Sequence, residues 1–472
     1  MSTPLNSIAP GHASVHAAGA SRASPWPVFF TAAIAVFLVS IDTTVLFAAF
    51  GALRASFPAH SAADASWVIN AYILVYASLL APAGKLSDSY GSKRIFMVGL
   101  VVFSLASVAC GMATQMGGLV AARAVQAVGA ALLTPASLAL VLAAFPVDKR
   151  AVAVSLWGAV GGLAAALGPG LGSLLIEYGG WRWAFWINLP ATLWAMARAW
   201  RTLPAQPTRM QRPQLDVFGL LLLIAGVCLL TWSVISTETQ GWRDAAVWLG
   251  LAAGLALLAA FIAWARTTAH PALDMRLFDN RNYRTVNLAT LIFGIAFTMM
   301  FFGFFFFLTG VWHYSLPLAG LAITPGPLMV VPTAIVCGKW AAKHGHRGLL
   351  VAGCGLLALG GVMQATLLGI TPSFWLHWLP CQIVTGVAVG MAMPALSGAA
   401  VASLKPEQLG QGSAVNQAVR QFGAVLGVAL TVLLLGHQSL ALADFRQLAL
   451  SYAALAASAA LICLVIKPAV AR

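Results

Sequence analysis

Of the twelve Asp and Glu residues, one stands inside an apolar run: Asp42, in Ile41-Asp42-Thr43-Thr44-Val45. Two of the 26 Lys and Arg are placed likewise, Arg123 and Arg420. A charged side chain at the centre of a bilayer costs about 3 kcal/mol on insertion scales and marks a functional position by default. The chemistry open to a lone buried carboxyl group is to take up and release a proton. Desolvation favours its neutral form and a neighbouring guanidinium its charged form, so small changes in water access tip the balance. Asp42 is therefore expected to carry a proton, with Arg123 tuning it. The competing reading is a structural ion pair or a helix-packing hydrogen bond. His313, His377 and His437 lie near the ends of apolar runs, so no histidine relay competes for the role.

The elements that position these groups are apolar runs, each near the roughly 20 residues needed to cross hydrocarbon as a helix. They fall near 28–51, 66–84, 95–113, 117–144, 152–175, 181–200, 217–237, 245–265, 286–309, 318–341, 348–369, 374–403, 412–435 and 447–466. Fourteen spans predict an all-α polytopic membrane protein. With the N-terminus in the cytoplasm, 20 of the 26 Lys and Arg fall on the cytoplasmic side. Only Arg54, Arg182, Arg243 and Arg446 fall outside, a bias of the sign that orients membrane proteins. Both termini are then cytoplasmic and the membrane is the cell's inner, or plasma, membrane. Trp181, Trp183 and Trp186, and Trp375 and Trp378, cluster where interfacial anchors are expected. At about 1.5 Å per residue, Asp42 lies roughly 13 Å and Arg123 roughly 9 Å below the outer surface. A pair between them is allowed by depth.

Composition agrees. The 472 residues are 60% hydrophobic and 8% charged, against about a quarter charged in globular domains. Mean hydropathy is +0.88. The net charge of +14 sits in short gaps between apolar runs, which argues against nucleic acid as a partner. Cys110, Cys228, Cys337, Cys354, Cys381 and Cys463 all fall in apolar runs without metal or redox spacing. No G-x-x-x-x-G-K-[ST], H-E-x-x-H or G-x-S-x-G occurs, so neither an ATP-driven motor nor an enzyme is expected, and no metal or other cofactor. Residues 1–26, rich in Ala, Ser, Pro and His, read as a disordered cytoplasmic tail.

One loop is repeated. Gly84-Lys-Leu-Ser-Asp88-Ser-Tyr-Gly91-Ser-Lys93-Arg94 follows the second span, and Gly338-Lys-Trp-Ala-Ala342-Lys-His-Gly345-His-Arg347 follows the tenth. Two six-helix bundles are the natural reading, at 27–203 and 286–468, with a linker at 204–285 carrying two inserted spans. Parallel repeats of this kind place a site between the halves of a rocking transporter.

These residues resemble the major facilitator superfamily, and within it the drug:proton antiporters with fourteen spans. The first loop is similar to the superfamily's G-x-L-x-D-x-x-G-x-[RK]-[RK] signature. Ile41–Val45 resembles L-D-x-T-V, and Arg123-Ala-Val-Gln126-Ala-Val-Gly129 resembles R-x-x-Q-G-x-G. Gly168-Pro169-Gly170-Leu171-Gly172 resembles the antiporter G-P-x-x-G-G, with Ser173 replacing the last Gly. The resemblance implies a cytoplasmic gate built on Gly84, Asp88, Gly91, Lys93 and Arg94. It also implies a seal against proton leak at Gly168, Pro169 and Gly172. Ala342 stands where the second loop would need its acid, and Thr309 where the family often has Gln.

The function implied is proton-coupled export of small amphipathic or hydrophobic compounds, with the proton gradient as energy source. The alternative is a narrow exporter of one endogenous metabolite; a non-transporting scaffold leaves the buried acid without a purpose. Expected partners are the small-molecule substrate, protons and membrane lipid. The chain is expected to act as a monomer, with room for an envelope partner. Candidate cavity residues are Tyr72, Tyr76, Gln126, Thr298, Thr309, Asn416, Gln417 and Arg420, each also readable as interhelical hydrogen bonding or packing. The run Phe301–Phe307 covers every face of its span, so some of its rings are expected to meet lipid.

Overall fold

Within hydrocarbon every backbone N–H and C=O must be satisfied inside its own segment, which leaves helices as the form for apolar runs of this length. The computed structural model describes residues 24–146, 149–203, 215–405, 408–435 and 440–466. Among them there is no strand. The helices are α1 (Trp26–Ser56), α2 (Ala62–Tyr90), α3 (Ser92–Met112), α4 (Met116–Ala144), α5 (Arg150–Gly179), α6 (Trp183–Trp186), α7 (Asn188–Thr202) and α8 (Val217–Gln240). They continue as α9 (Ala245–Thr267), α10 (Arg281–Phe306), α11 (Leu316–Ile323), α12 (Pro325–His344), α13 (Arg347–Leu367), α14 (Leu379–Ala402), α15 (Leu409–Leu435) and α16 (Leu442–Leu464). The tail expected over 1–26 lies outside the described residues up to position 23, as does 204–214 of the expected linker.

Among the described residues, thirteen segments are long and apolar enough to cross a membrane. The fourteenth, expected at 181–200, is split into the single turn of α6 and the 15 residues of α7. Pro190 lacks the N–H that would carry the helical ladder of α6 onward, so the helix restarts at Asn188. Taken as one crossing, α6 and α7 complete fourteen. The tenth span is also divided, into α11 and α12, and again a proline opens the second part, Pro325.

Chain reversal at each loop gathers Lys85, Lys93, Arg94, Arg150, Arg201, Arg281, Lys343 and Arg347 on one side of the molecule, its basic face. Gly91 and Gly345 close α2 and α12 at this level with φ of 88° and 77°, a left-handed conformation that glycine adopts without Cβ strain. The two copies of the loop thus share their backbone turn as well as their residues. Lys93 Nζ donates to the carbonyls of Trp200 (3.0 Å) and Leu203 (2.6 Å), and Lys85 Nζ to that of Pro271 (2.9 Å).

The expectation that part of the phenylalanine run meets lipid is corrected by the structure. Phe301, Phe302, Phe304, Phe305, Phe306 and Phe307 are all buried. The reason is that α10 is packed on several sides. Phe302 meets Phe47 and Phe50 of α1 at 5.0 and 5.1 Å between ring centroids. Phe304 meets Trp378 at 5.2 Å and Phe307 meets Phe445 of α16 at 4.2 Å. Such edge and tilted ring pairs add to simple area burial.

Small residues set the closest helix approaches. A Cβ on Gly129 of α4 would lie 2.6 Å from the Phe103 amide nitrogen of α3, and one on Gly294 of α10 would lie 2.6 Å from the Arg420 carbonyl of α15. Among the spans inserted between the repeats, α8 leans on α2 and α15 through Ala63, Ile235 and Ala429.

Candidate functional site

Three residues of α1 in a row carry polar side chains, and two of them are spent locally. Thr43 Oγ1 donates to the Val39 carbonyl (3.0 Å) and Thr44 Oγ1 to the Ser40 carbonyl (3.1 Å) of their own helix. Asp42 alone reaches out. Opposite it, Arg123 and Gln126 are three residues apart on α4, so they share one helix face. Arg123 Nη1 donates to Asp42 Oδ2 at 2.6 Å and to Gln126 Oε1 at 2.6 Å. Gln126 Nε2 and Asn188 Nδ2 both donate to Asp42 Oδ1, at 2.9 and 2.8 Å. The acid is 2% exposed and the arginine 1%. They face the helices of the first repeat, away from lipid.

The guanidinium has further support. Its Nε donates to the Val68 carbonyl of α2 at 3.0 Å, and its carbon sits 4.0 Å from the Tyr72 ring centroid and 5.6 Å from that of Phe185. Gln126 Nε2 also reaches Ser107 Oγ of α3 at 2.9 Å. Every group touching the Asp42 oxygens is a donor, which is the environment of a carboxylate anion. Arg123 has other acceptors in Gln126 and Val68, so losing the carboxylate would not leave it without partners. The Asn188 Oδ1 atom is buried without a hydrogen-bond partner. Turning that amide would place an acceptor beside a protonated Asp42.

A ladder of rings leads away from the pair. Tyr72 stacks on Tyr76 with centroids 6.1 Å apart and planes 11° apart. The Tyr76 hydroxyl pairs with Thr134 Oγ1 at 3.1 Å and accepts from Gln417 Nε2 of α15 at 3.3 Å. Arg420, one turn along α15, is half-buried and lies within electrostatic range of that hydroxyl. Among the described residues Arg420 makes no ion pair, and none donates to or accepts from its side chain.

The sequence matches the Major Facilitator Superfamily over residues 32–427 and 286–472. The chain belongs to this superfamily. It is 34% identical over 411 residues to the cephamycin export protein of Amycolatopsis lactamdurans, covering 86% of this chain and 84% of that one. It is 33% identical over 420 residues to the multidrug resistance protein B homolog of Mycobacterium tuberculosis, covering 86% and 75%. Among solved structures, a peptide transporter of the POT type in complex with sulfate superposes with a TM-score of 0.68, at 14% identity and 94% coverage of each chain. That likeness is one of fold. The protein is a superfamily transporter and not an enzyme.

The superfamily motifs occupy distinct places in this transporter. Gly168 and Gly172 of α5 pack on α1: a Cβ on Gly168 would collide with Thr44 Oγ1, and one on Gly172 would lie 2.9 Å from Val45. The opposite side of the same stretch meets α11, where a Cβ on Gly320 would collide with the Pro169 carbonyl. Toward the basic face the contact thins. A Cβ on Gly162 would lie 3.2 Å from Val331, whereas one on Gly158 would meet no atom within 4 Å. In the signature loop Gly84 and Lys93 are half-buried, and Asp88 and Arg94 are exposed.

The other candidate residues scatter. Asn416 Nδ2 is tied to Asn287 and Thr290 of α10 at 3.0 Å each. Thr298 is buried against Gly427 of α15, 2.8 Å from a Cβ there. Thr309 donates to the Phe305 carbonyl at 2.7 Å and lines a separate cavity of about 460 Å³ with Phe47, Phe50, Arg54, Phe306 and Leu440. Trp181 and Trp378, expected as interfacial anchors, are buried instead, and Trp378 Nε1 donates to the Ala322 carbonyl at 2.8 Å. Sequence reasoning missed Asn188, Ser107 and Thr134. The one signal for Asn188 was a lone amide in an apolar run two residues before Pro190.

Proposed function

We propose that this transporter exports small amphipathic compounds in exchange for protons, by alternating access between two six-helix bundles, 27–203 and 286–468. The basic face lies in the cytoplasm of a cell whose inner membrane holds the protein, with both termini on that side. The observation that carries the proposal is the buried carboxylate of Asp42, held by Arg123, Gln126 and Asn188.

All three contacts donate to the carboxylate oxygens. A proton arriving on Oδ1, which accepts two hydrogen bonds, takes one of its lone pairs, so Gln126 or Asn188 must withdraw. One arriving on Oδ2 neutralises the partner of Arg123 and frees the guanidinium to withdraw. Arg123 keeps Gln126 Oε1 and the Val68 carbonyl when it does, and rotation of Asn188 supplies the acceptor the new O–H needs. Proton release restores the ion pair. Both events move the relation of α1 to α4, and α1 is the helix that packs on the α5 seal through Thr44 and Val45. Breaking a buried ion pair by removing one partner costs about 3–5 kcal/mol. A proton on the acid removes that obstacle.

Cargo enters from the basic face, a reading supported by the packing of Phe47 and Phe50 on Phe302 and of α5 on α11 at the far side. The loop bearing Asp88, Lys93 and Arg94 would latch the cytoplasmic gate in the opposite state. One named relative is an export protein named for a single antibiotic class, and the other is named for resistance to many drugs. Breadth is therefore read from a resistance profile. The test of coupling is proton movement in everted vesicles energised to an acid interior. Addition of a transported antibiotic from an unrelated panel should alkalinise the lumen of wild-type vesicles and not that of Asp42→Asn vesicles. Exchange by the Asn variant at the wild-type rate overturns the assignment.

A further inference from the structure

We infer that Arg420, with Gln417 and the Tyr76 hydroxyl beside it, binds an anionic group of the carboxylate kind on the exported compound. The inference rests on the export reading above and adds a chemical class to it.

Among the described residues, three charged side chains stand deep in the spans: Asp42, Arg123 and Arg420. The first two neutralise each other at 2.6 Å. Arg420 has no such partner among the described residues, and a bare guanidinium in a membrane interior is costly to keep. Packing does not account for it. The attachment of α15 to α10 uses the Arg420 backbone, against which Gly294 fits, and the Asn416 amide bonded to Asn287 and Thr290. The Arg420 side chain takes no part in either contact.

The groups near it are suited to an acceptor-rich ligand. A guanidinium presents a planar fork that matches a carboxylate with two parallel hydrogen bonds. Gln417 Nε2 adds an amide donor; its bond to the Tyr76 hydroxyl, at 3.3 Å, is long enough to be exchanged for a ligand oxygen.

The site is also separate from the proton's. A carboxylate at Arg420 cannot compete with a proton for Asp42, so exchange between them works through conformation. The link is physical: Tyr76 stacks on Tyr72, and Tyr72 covers Arg123 at 4.0 Å. An inside-negative membrane potential favours departure of an anion by this route.

The test is equilibrium binding of two probes to the full-length protein in lipid nanodiscs: naphthoate and its neutral isostere naphthamide. Binding does not require turnover, so its outcome is independent of whether Asp42 couples protons. Wild type should bind naphthoate about tenfold more tightly than naphthamide, the size of one charge-assisted hydrogen bond. Arg420→Gln should abolish that preference by weakening naphthoate binding about tenfold more than naphthamide binding, while Arg420→Lys keeps part of it. Thermal unfolding confirms that each variant is folded. Equal binding of the two probes by wild type, absence of naphthoate binding, or an equal loss of both probes in folded Arg420→Gln overturns the proposal.

Discussion

Gln417 Nε2 donates to the Tyr76 hydroxyl at 3.3 Å, joining α15 of the second repeat to α2 of the first. Through the Tyr72–Tyr76 stack, that bond stands two rings away from the Arg123 guanidinium. It ties the proposed proton site to the opposite half of the molecule.

Tyr76→Phe keeps the stack and removes the hydroxyl. Two hydrogen bonds go with it, to Thr134 and Gln417, for a stability loss of about 1–2 kcal/mol. Uphill export should fall severalfold with proton binding at Asp42 retained. Transport rates and thermal unfolding of the same preparation check both halves of the expectation.

Arg123→Ala strands a carboxylate that is 2% exposed. The expected loss is about 3–5 kcal/mol of stability, read as a lower unfolding midpoint. Asp42→Asn with Arg123→Gln replaces the ion pair by amides that hydrogen-bond to each other. The double variant should recover most of the loss and remain inactive in exchange. A double variant as unstable as Arg123→Ala would mean the pair is not what stabilises this region.

Asn188→Leu removes a donor from Asp42 Oδ1 and the unpartnered Oδ1 atom proposed to accept the hydrogen bond of the protonated acid. Cargo affinity should stay within about twofold while turnover falls about tenfold, the pattern of an interaction made only during the cycle. Stopped measurement of binding beside steady-state flux separates the two.

Gly168→Ala puts a methyl group against Thr44 Oγ1, and Gly172→Val adds bulk against Val45. Both push α5 off α1. Wild-type vesicles should hold a pH gradient without cargo, and the two variants should dissipate it measurably faster. Gly158→Ala, where 4 Å of space is open, is the control and should leave the gradient intact.

The helices were readable from sequence because apolar runs and basic gaps report the same solvent constraint. Asp42 and Arg123 were readable as well, since few charges are tolerated at that depth. Depth does not fix azimuth, however, and only the folded chain shows that the two side chains meet. Asn188 escaped because a neutral amide costs little in composition and its value comes from α7 restarting where α1 passes. The phenylalanine run misled for the opposite reason. Seven apolar positions on all faces look alike whether the surroundings are lipid or other helices, and here α1, Trp378 and α16 pack against them. Asn416 and Thr298 share their residue types with cavity-lining groups, yet their faces of α15 and α10 meet each other.

Transport as proposed requires that the Asp42 carboxyl group take and give up a proton during the cycle. Infrared difference spectra of the protein in lipid, recorded between alkaline and acid buffer, read that event directly. The account predicts a carboxylic-acid carbonyl band that appears on acidification, shifts in heavy water and is missing from Asp42→Asn. A spectrum identical in wild type and Asp42→Asn, across the pH range in which export operates, would contradict it.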